Sequence, residues 1–347
     1  MPRGRWIGPS GYSAGETKRV RIPGRGEDAD IRLEEMRFMR KPISVGFIGF
    51  GEAGSAIAKG LQGEGITEMS LCHLRKGDPP RVAWVKARAA ESGVQYRESI
   101  PEVVESAQFI FSVVSMEGAV AAAEKAVGFL RSGKTYIDLT SSFPDDMKAI
   151  AKMIAPTGAV FVDGAMMAPL PQHRHKVLTY VAGPQAAETA ERLNAWGMNL
   201  RVVGEEPGQA SAIKLVLSVG TKGFESVLVE MLLASHHYRV EDHVLSAMNE
   251  FFKKGLDPAI HRLVGSDAVH AGRRVKEMES SVKLLESLGV EPLMSRATVQ
   301  RLRWSASLGL ADYFHGQSPE TYQEVIEAWE KIGLFEKRGK SSCCSES

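Results

Sequence analysis

Cysteine is scarce in this 347-residue chain: Cys72 stands alone in the body, and Cys343 and Cys344 lie in the polar tail. Three thiols so distributed exclude a disulfide framework and suit a reducing, cytoplasmic compartment. No apolar run approaches the roughly 20 residues that a membrane-spanning helix needs, so no membrane partner is expected. Charge of one sign is lacking too. The 43 Lys+Arg and 42 Asp+Glu leave a formal net charge of +1, which gives no reason to expect nucleic acid as partner. His236, His237 and His243 have neither metal-ligand spacing nor neighbouring thiolates, so no metal is expected. The remainder, 44% hydrophobic and 24% charged, is ordinary globular composition, and the length favours about two domains.

Residues 1–40 carry no helical or strand period. The first 25 hold five glycines and six Lys/Arg against one acid, Glu16. Arginine-rich, acid-poor segments can be targeting signals, but Gly and Pro here interrupt the amphipathic helix such a signal requires. The expectation is a disordered extension, or an over-long reading frame with its true start at Met36 or Met39.

Order begins at Ile43. Ser44 to Phe50 reads as a short buried strand that runs into Gly49-x-Gly51-x-x-Gly54 and then a helix with Ala56, Ile57, Ala58 and Leu61 on its packed side. Gly49 permits the tight bend, Gly51 lets the backbone approach a pyrophosphate, and Gly54 lets the helix lie close. The free N–H groups of the new helix would face the phosphates. Gly49, Phe50, Gly51, Glu52, Ala53 and Gly54 are therefore the candidate cofactor-binding turn.

Strands and helices then alternate. Glu68 to Leu74 is a second strand, Arg81 to Ser92 a helix, Val94 to Tyr96 a short strand, and Pro101 suits the first turn of a helix. Apolar strands follow at 109–114 and 135–139. This order implies an α/β fold with a doubly wound parallel sheet over residues 41–205, its ligands at the carboxyl ends of the strands. The second strand ends in Arg75 and Lys76, with Asp78 only in the loop beyond. Cations there suit a 2′-phosphate, so NADP is expected, with NAD as the alternative if they are only solvated loop charges. The loops at Val114, Ser115 and Met116 and at Thr140 should line the cofactor cleft. Val160 to Asp163 is a further strand, leading into a proline-punctuated loop, Gly164 to Pro171, that could wall a substrate. The cluster His173-Arg174-His175-Lys176 is an anion-site candidate or a set of solvated charges.

From Gly208 the texture changes. Residues 210–234 are apolar around much of a helix of about seven turns, which calls for burial in the protein or in a partner. Lys214, Ser218 and Lys222, at i, i+4 and i+8, form one polar stripe. Ile213, Leu215, Val216 and Leu217 crowd Lys214, so a lysine lining a wet cleft is expected over one that snorkels to solvent. The rest of 206–335 is helical, with breaks near Gly255, Gly289 and Gly316, and 336–347 is a polar tail. The terminal Cys-Ser-Glu-Ser formally fits a prenylation box but lacks its aliphatic residues, and is read as coincidence.

Taken together, these motifs resemble the β-hydroxyacid dehydrogenases over about residues 43–335. Gly49-Phe-Gly51-Glu-Ala-Gly54 matches the cofactor loop and Asp138-Leu-Thr-Ser-Ser-Phe-Pro144 the run after the fifth strand. Asp163-Gly-Ala-Met-Met-Ala-Pro169 stands at the substrate loop, Gly208-x-Ala210-x-x-x-Lys214 at the catalytic-lysine helix, and Lys276-Glu277-Met278 at a later lysine motif. The resemblance implies a Rossmann-type domain followed by an all-α domain that dimerises. It also implies an NAD(P)-dependent oxidoreductase acting on a small hydroxy compound or its carbonyl. Lys214 would be the general acid/base, supported by Ser218; Lys276 would reach the cofactor; Thr140, Met167, Ala168, Arg273 and Arg274 would meet substrate. Two departures stand out. Met167, Ala168 and Pro169 replace the family's usual Ser-Gly-Gly carboxylate grip, and Ser218 replaces its usual Asn, which implies retained chemistry on an unusual substrate. The alternatives are an imine reductase, against which Lys214 counts, and a non-catalytic NADP-binding redox sensor.

Overall fold

The computed structural model describes residues 41–73, 77–168 and 170–335. Arg75 and Lys76, the segment 1–40 and the tail 336–347 lie outside the described residues, as does Pro169. The chain forms two compact units that meet in sequence at Lys214 and Leu215.

The first unit is built on eight strands: β1 Val45–Ile48, β2 Met69–Cys72, β3 Gln95–Tyr96, β4 Phe109–Ser112, β5 Thr135–Asp138, β6 Val160–Met166, β7 Leu178–Ala182 and β8 Asn199–Gly204. Their order in the sheet is β3-β2-β1-β4-β5-β6-β7-β8. The helices between them are α1 Glu52–Gly63, α2 Pro79–Glu91, α3 Ile100–Ser106, α4 Ala119–Val127, α5 Pro144–Ile154 and α6 Ala186–Asn194. The strand order reverses direction between β1 and β4, which opens a crevice at the carboxyl ends of these strands.

Both faces of the sheet are covered, which is why its central strands are mostly apolar. On one face Val45, Phe47, Leu71, Phe109 and Phe111 pack against Ile57, Leu61 and Val85. On the other, Ile48, Ile110 and Tyr136 meet Val103, Ala122, Ala123 and Ile150. The buried Lys134 donates from Nζ to the carbonyls of Val104, Glu105 and Ala107 at 2.5, 3.2 and 2.9 Å, so it satisfies the carboxyl end of α3.

The sheet is not wholly parallel. β7 runs antiparallel to β6, with Asp163 opposite Ala182 and Met166 opposite Thr179. The connection holds only one helical turn, Leu170–His173, and a 3₁₀ turn, Arg174–Lys176. That is too short for a crossover, which needs about a dozen residues or more, so the chain turns back on itself. The reversal also extends β6 to Met166, three residues past the end that the apolar run suggests.

The second unit is helical. α7 Gln209–Tyr238 begins in the first unit and continues into the second; α8 Glu241–Phe251, α9 Leu256–Ser287, α10 Leu293–Ser307 and α11 Tyr322–Lys331 follow. Glycines mark the breaks, as at Gly255 with φ +93° before α9 and Gly289 with φ +70° after it. Ala268, Leu310, Val325 and Ala328 form a small core. The buried Glu230 of α7 accepts from the backbone N–H groups of Met294 and Ser295 and from Ser295 Oγ, capping α10 from outside. The expected burial of α7 is not met within one chain: Val216, Val219 and Val229 are 70%, 76% and 54% exposed.

Candidate cofactor and catalytic site

The turn after β1 has the geometry its glycines suggested. Gly49 takes φ +88°, and a Cβ there would stand 2.7 Å from the Val113 carbonyl oxygen. A Cβ on Gly54 would meet the Gly49 oxygen at 3.1 Å and the Phe50 ring at 3.3 Å, so this glycine allows α1 to close on the turn itself. Gly51 is the N-cap of α1 and supplies no side-chain cap, which leaves the helix N–H groups open to an acceptor. The space over Gly51 is open as well: among the described residues beyond the turn and its helix, only Arg81 Nη2, at 3.9 Å, comes within 4 Å of where its Cβ would be. An open turn over an uncapped helix end fits a pyrophosphate.

A cleft of ≈ 390 Å³ lies over this turn, lined by Gly49, Phe50, Gly51, His73, Arg81, Val114 and Ser115 among others. Five of the residues expected from sequence, Gly49, Phe50, Gly51, Val114 and Ser115, thus come together. Phe50 contributes backbone, because its ring is buried edge-on against Phe47 at 5.6 Å. Glu52 lines a separate depression with Ser55, Lys59, Arg88 and Arg174. Ala53 and Gly54 belong to the first turns of α1, and Met116 begins a 3₁₀ turn that precedes α4.

Arg81 is a cleft residue that the sequence reading overlooked. It opens as the third residue of α2, whose N-cap Asp78 accepts from the Arg81 backbone N–H at 3.1 Å. Its guanidinium carbon lies 4.0 Å from the Trp84 ring centre, and no described carboxylate pairs with it. An arginine three residues before a tryptophan on a helix was the available signal, since i and i+3 share a face.

At the end of β5 and in the middle of β6 two buried aspartates, Asp138 and Asp163, stand directly opposite in the strand register. Asp138 Oδ1 accepts from the Thr140 backbone N–H at 2.9 Å and from its hydroxyl at 2.5 Å, which fixes the expected substrate residue. Burial pushes the Asp138 carboxyl up to about 6, against the opposing effect of the Thr140 hydrogen bonds. Asp163 Oδ2 accepts from Gly208 N and Ser211 N, and Oδ1 accepts from Ser211 Oγ. Its carboxyl is raised by burial as well.

The two described members of the substituted substrate loop are half-buried and pack inward. Met167 lies against Ala165, Ala182 and Ala210, and Ala168 lies against the sheet core. The expected charge cluster after them is divided. His175 is buried with its pKa lowered mainly by desolvation, and Lys176 Nζ pairs with Glu64 at 3.0 Å, so these four residues do not form one anion site. Lys214 and Ser218 are half-buried on α7, whereas Lys222, the third member of the stripe, is exposed. Of the apolar residues expected to crowd Lys214, Ile213 and Leu215 are half-buried, whereas Val216 and Leu217 are exposed. Arg273, Arg274 and Lys276 lie on α9 in the second unit. Arg273 pairs with Glu277 at 2.6 Å, Arg274 donates to Ser266 Oγ at 2.6 Å, and Lys276 is exposed.

Comparison with known proteins agrees with this arrangement. A family model described as the NAD binding domain of 6-phosphogluconate dehydrogenase matches residues 44–204, and one described as a domain of unknown function matches residues 235–305. A solved conserved hypothetical protein of Sinorhizobium meliloti 1021 is 35% identical, covering 84% of this chain and 97% of that one, with a TM-score of 0.54. The mitochondrial 3-hydroxyisobutyrate dehydrogenase of Mus musculus is 29% identical over 65% of this chain and 62% of its own length. An imine reductase from Pseudomonas sp. shares the fold at 18% identity, covering 80% of this chain and 99% of that one, with a TM-score of 0.63. Among the described residues no helix is long and apolar enough to cross a membrane. With its glycine turn, its crevice at the strand ends and these relatives, the chain belongs to the β-hydroxyacid dehydrogenase family and is an NAD(P)-dependent dehydrogenase.

Proposed function

We propose that this enzyme is an NADP-preferring, cytoplasmic, homodimeric oxidoreductase that interconverts a small hydroxy compound and its carbonyl, with Lys214 as general acid/base. The nicotinamide cofactor supplies or accepts the hydride. The open turn at Gly51 beside Arg81, with which no described carboxylate pairs, is the observation that carries this reading, because it joins a pyrophosphate seat to a cation suited to a further phosphate. Arg75 and Lys76 belong to the same reading from the sequence.

For the substrate, Thr140 held by Asp138 offers an oriented hydroxyl at the strand ends. Lys214 exchanges a proton with the substrate oxygen and Ser218 supports it by hydrogen bonding. Arg273 and Arg274, for an anionic group of the substrate, and Lys276, for the cofactor, belong to this reading from the sequence. The packed Met167 and Ala168, in place of a hydroxyl and two glycines, favour a substrate bound less through a carboxylate than 3-hydroxyisobutyrate is. The exposed valines of α7 support dimerisation through the helical unit, since a contiguous apolar face of this kind marks an interface.

The test is turnover of purified full-length protein with NADPH and with NADH on a panel of aldehydes, 2- and 3-keto acids and cyclic imines, with the reverse reaction on hydroxy acids and polyols. Carbonyl or alcohol turnover with preference for NADPH is expected. Turnover confined to imines would move the enzyme to imine reduction, and nicotinamide binding without any turnover would favour a redox sensor.

A further inference from the structure

Asp163 is a charged side chain with no solvent exposure, and the chemistry above makes no use of it. It stands on β6 opposite Asp138 of β5. Its Oδ2 accepts from the N–H groups of Gly208 at 2.9 Å and Ser211 at 3.1 Å, and its Oδ1 accepts from Ser211 Oγ at 2.5 Å. These donors belong to the start of α7, 45 and 48 residues further along the chain. The same turn is pressed onto its surroundings at two more points. Gly208 takes φ +99°, with the Pro144 carbonyl oxygen 2.8 Å from where its Cβ would be, and Ala210 is fully buried against Ala165 and Ala182.

A helix start is ordinarily capped by the residue just before it, which ties the helix only to its own loop. Here the cap comes from a central strand, so the first turn of α7 is referenced to the sheet whose carboxyl end carries the cofactor turn. A buried carboxylate is costly unless hydrogen-bonded, and three donors together with the positive end of the helix dipole meet that requirement. Lys214 follows Ser211 by three residues, one helical turn, and therefore leaves α7 close above the tethered hydroxyl.

We infer that Asp163 is a positioning residue for Lys214: by fixing the first turn of α7 to β6, it sets where the lysine amine stands. This rests on the reading of Lys214 as the proton donor and adds the group that aligns it. Asp163 touches no reacting atom, and its effect passes through Gly208 and Ser211.

The test uses full-length protein and needs no substrate. Amide hydrogen exchange over residues 208–214 reports the tether, and the rate of Lys214 acylation by acetic anhydride, read by peptide mass spectrometry against the exposed Lys148, reports the amine. In Asp163→Asn, exchange over the first turn should rise about tenfold and the relative acylation rate of Lys214 should change about threefold or more, since a lost charge-assisted hydrogen bond acts on this scale. A Lys214 rate within about 1.5-fold of wild type, well below the effect of one hydrogen bond, would make Asp163 a structural cap only and overturn the inference. If Asp163→Asn does not fold, Ser211→Ala removes a single contact and carries the same two readouts, with Ser211→Thr expected to restore both; an unchanged Lys214 rate in Ser211→Ala is equally decisive against it. The two readings fail separately. Undiminished turnover in Lys214→Met would remove the catalytic role and leave the tether, whereas an unchanged lysine in Asp163→Asn would remove the positioning role and leave catalysis.

Discussion

The guanidinium of Arg81 stacks on Trp84 with its carbon 4.0 Å from the ring centre, and its Nη2 lies 3.9 Å from where a Cβ on Gly51 would stand. A stacked guanidinium keeps both its charge and its fork of donors, and the stacking limits the side-chain freedom that ligand binding would otherwise remove. Arg81→Ala should therefore weaken NADPH about ten- to a hundred-fold, the loss of one charge-assisted contact, and weaken NADH much less. Arg75→Ala should act in the same direction. Titration of both cofactors by Trp fluorescence checks this, and equal affinity of the wild type for NADPH and NADH would refute the preference.

Lys214→Met should lower turnover by about 10²–10⁴-fold, the usual contribution of a placed proton donor. Methionine keeps the length and the apolar stem, so fold and cofactor affinity should persist. Ser218→Ala, which removes one supporting hydrogen bond, should cost only about 0.5–1.5 kcal/mol of transition-state stabilisation. Steady-state kinetics of the two variants on a substrate from the panel decides the matter. Turnover of Lys214→Met within about threefold of wild type would leave the lysine without the role of acid.

The exposed face of α7 makes oligomeric state a sharp test. Val216 and Val219 are among the most exposed large apolar side chains described. An obligate interface covering such a face buries upward of about 2,000 Å². Light scattering should give a dimer at micromolar concentration, and Val219→Asp should shift it toward monomer or lower its solubility. A stable wild-type monomer would contradict the proposal.

Asp138 gives a pH signature. Its folded-state value of about 6 lies above the ordinary 3.8, so the folded protein holds this proton more tightly than the unfolded chain does. Protonation of Asp138 thus contributes stability that is fully present below the unfolded value and is lost as pH rises through about 6. Asp138→Asn stays neutral throughout and avoids that loss. The difference in Tm, variant minus wild type, should therefore increase from about pH 4 to pH 7, by an amount equivalent to about 3 kcal/mol at most. Thermal melts of both proteins across that range provide the check, and a pH-independent difference would place the carboxyl at its ordinary value.

Much of this protein was decided within a few neighbouring residues. The β1–turn–α1 unit was legible because strand, glycines and helix follow in fixed order, with Gly49 permitting φ +88° and Gly54 leaving room for close packing. The central strands were legible because burial on both faces demands mostly apolar runs, and the helical breaks because Gly and Pro end helices locally. Even the stripe from Lys214 to Ser218 followed from helical spacing alone. The tertiary structure decided what depends on residues far apart. β7 turns back because its link with β6 is too short for a crossover, although its own sequence would suit either direction. Arg81 joined the cleft because α2 brings it over Gly51, thirty positions earlier in the chain. Asp163 became the anchor of α7 because the fold sets the middle of a strand against a helix start 45 residues later. Local propensity fixes dihedral angles and periodicity, but the partner of a buried charge is chosen by which elements the chain brings together, and no stretch of sequence carries that by itself.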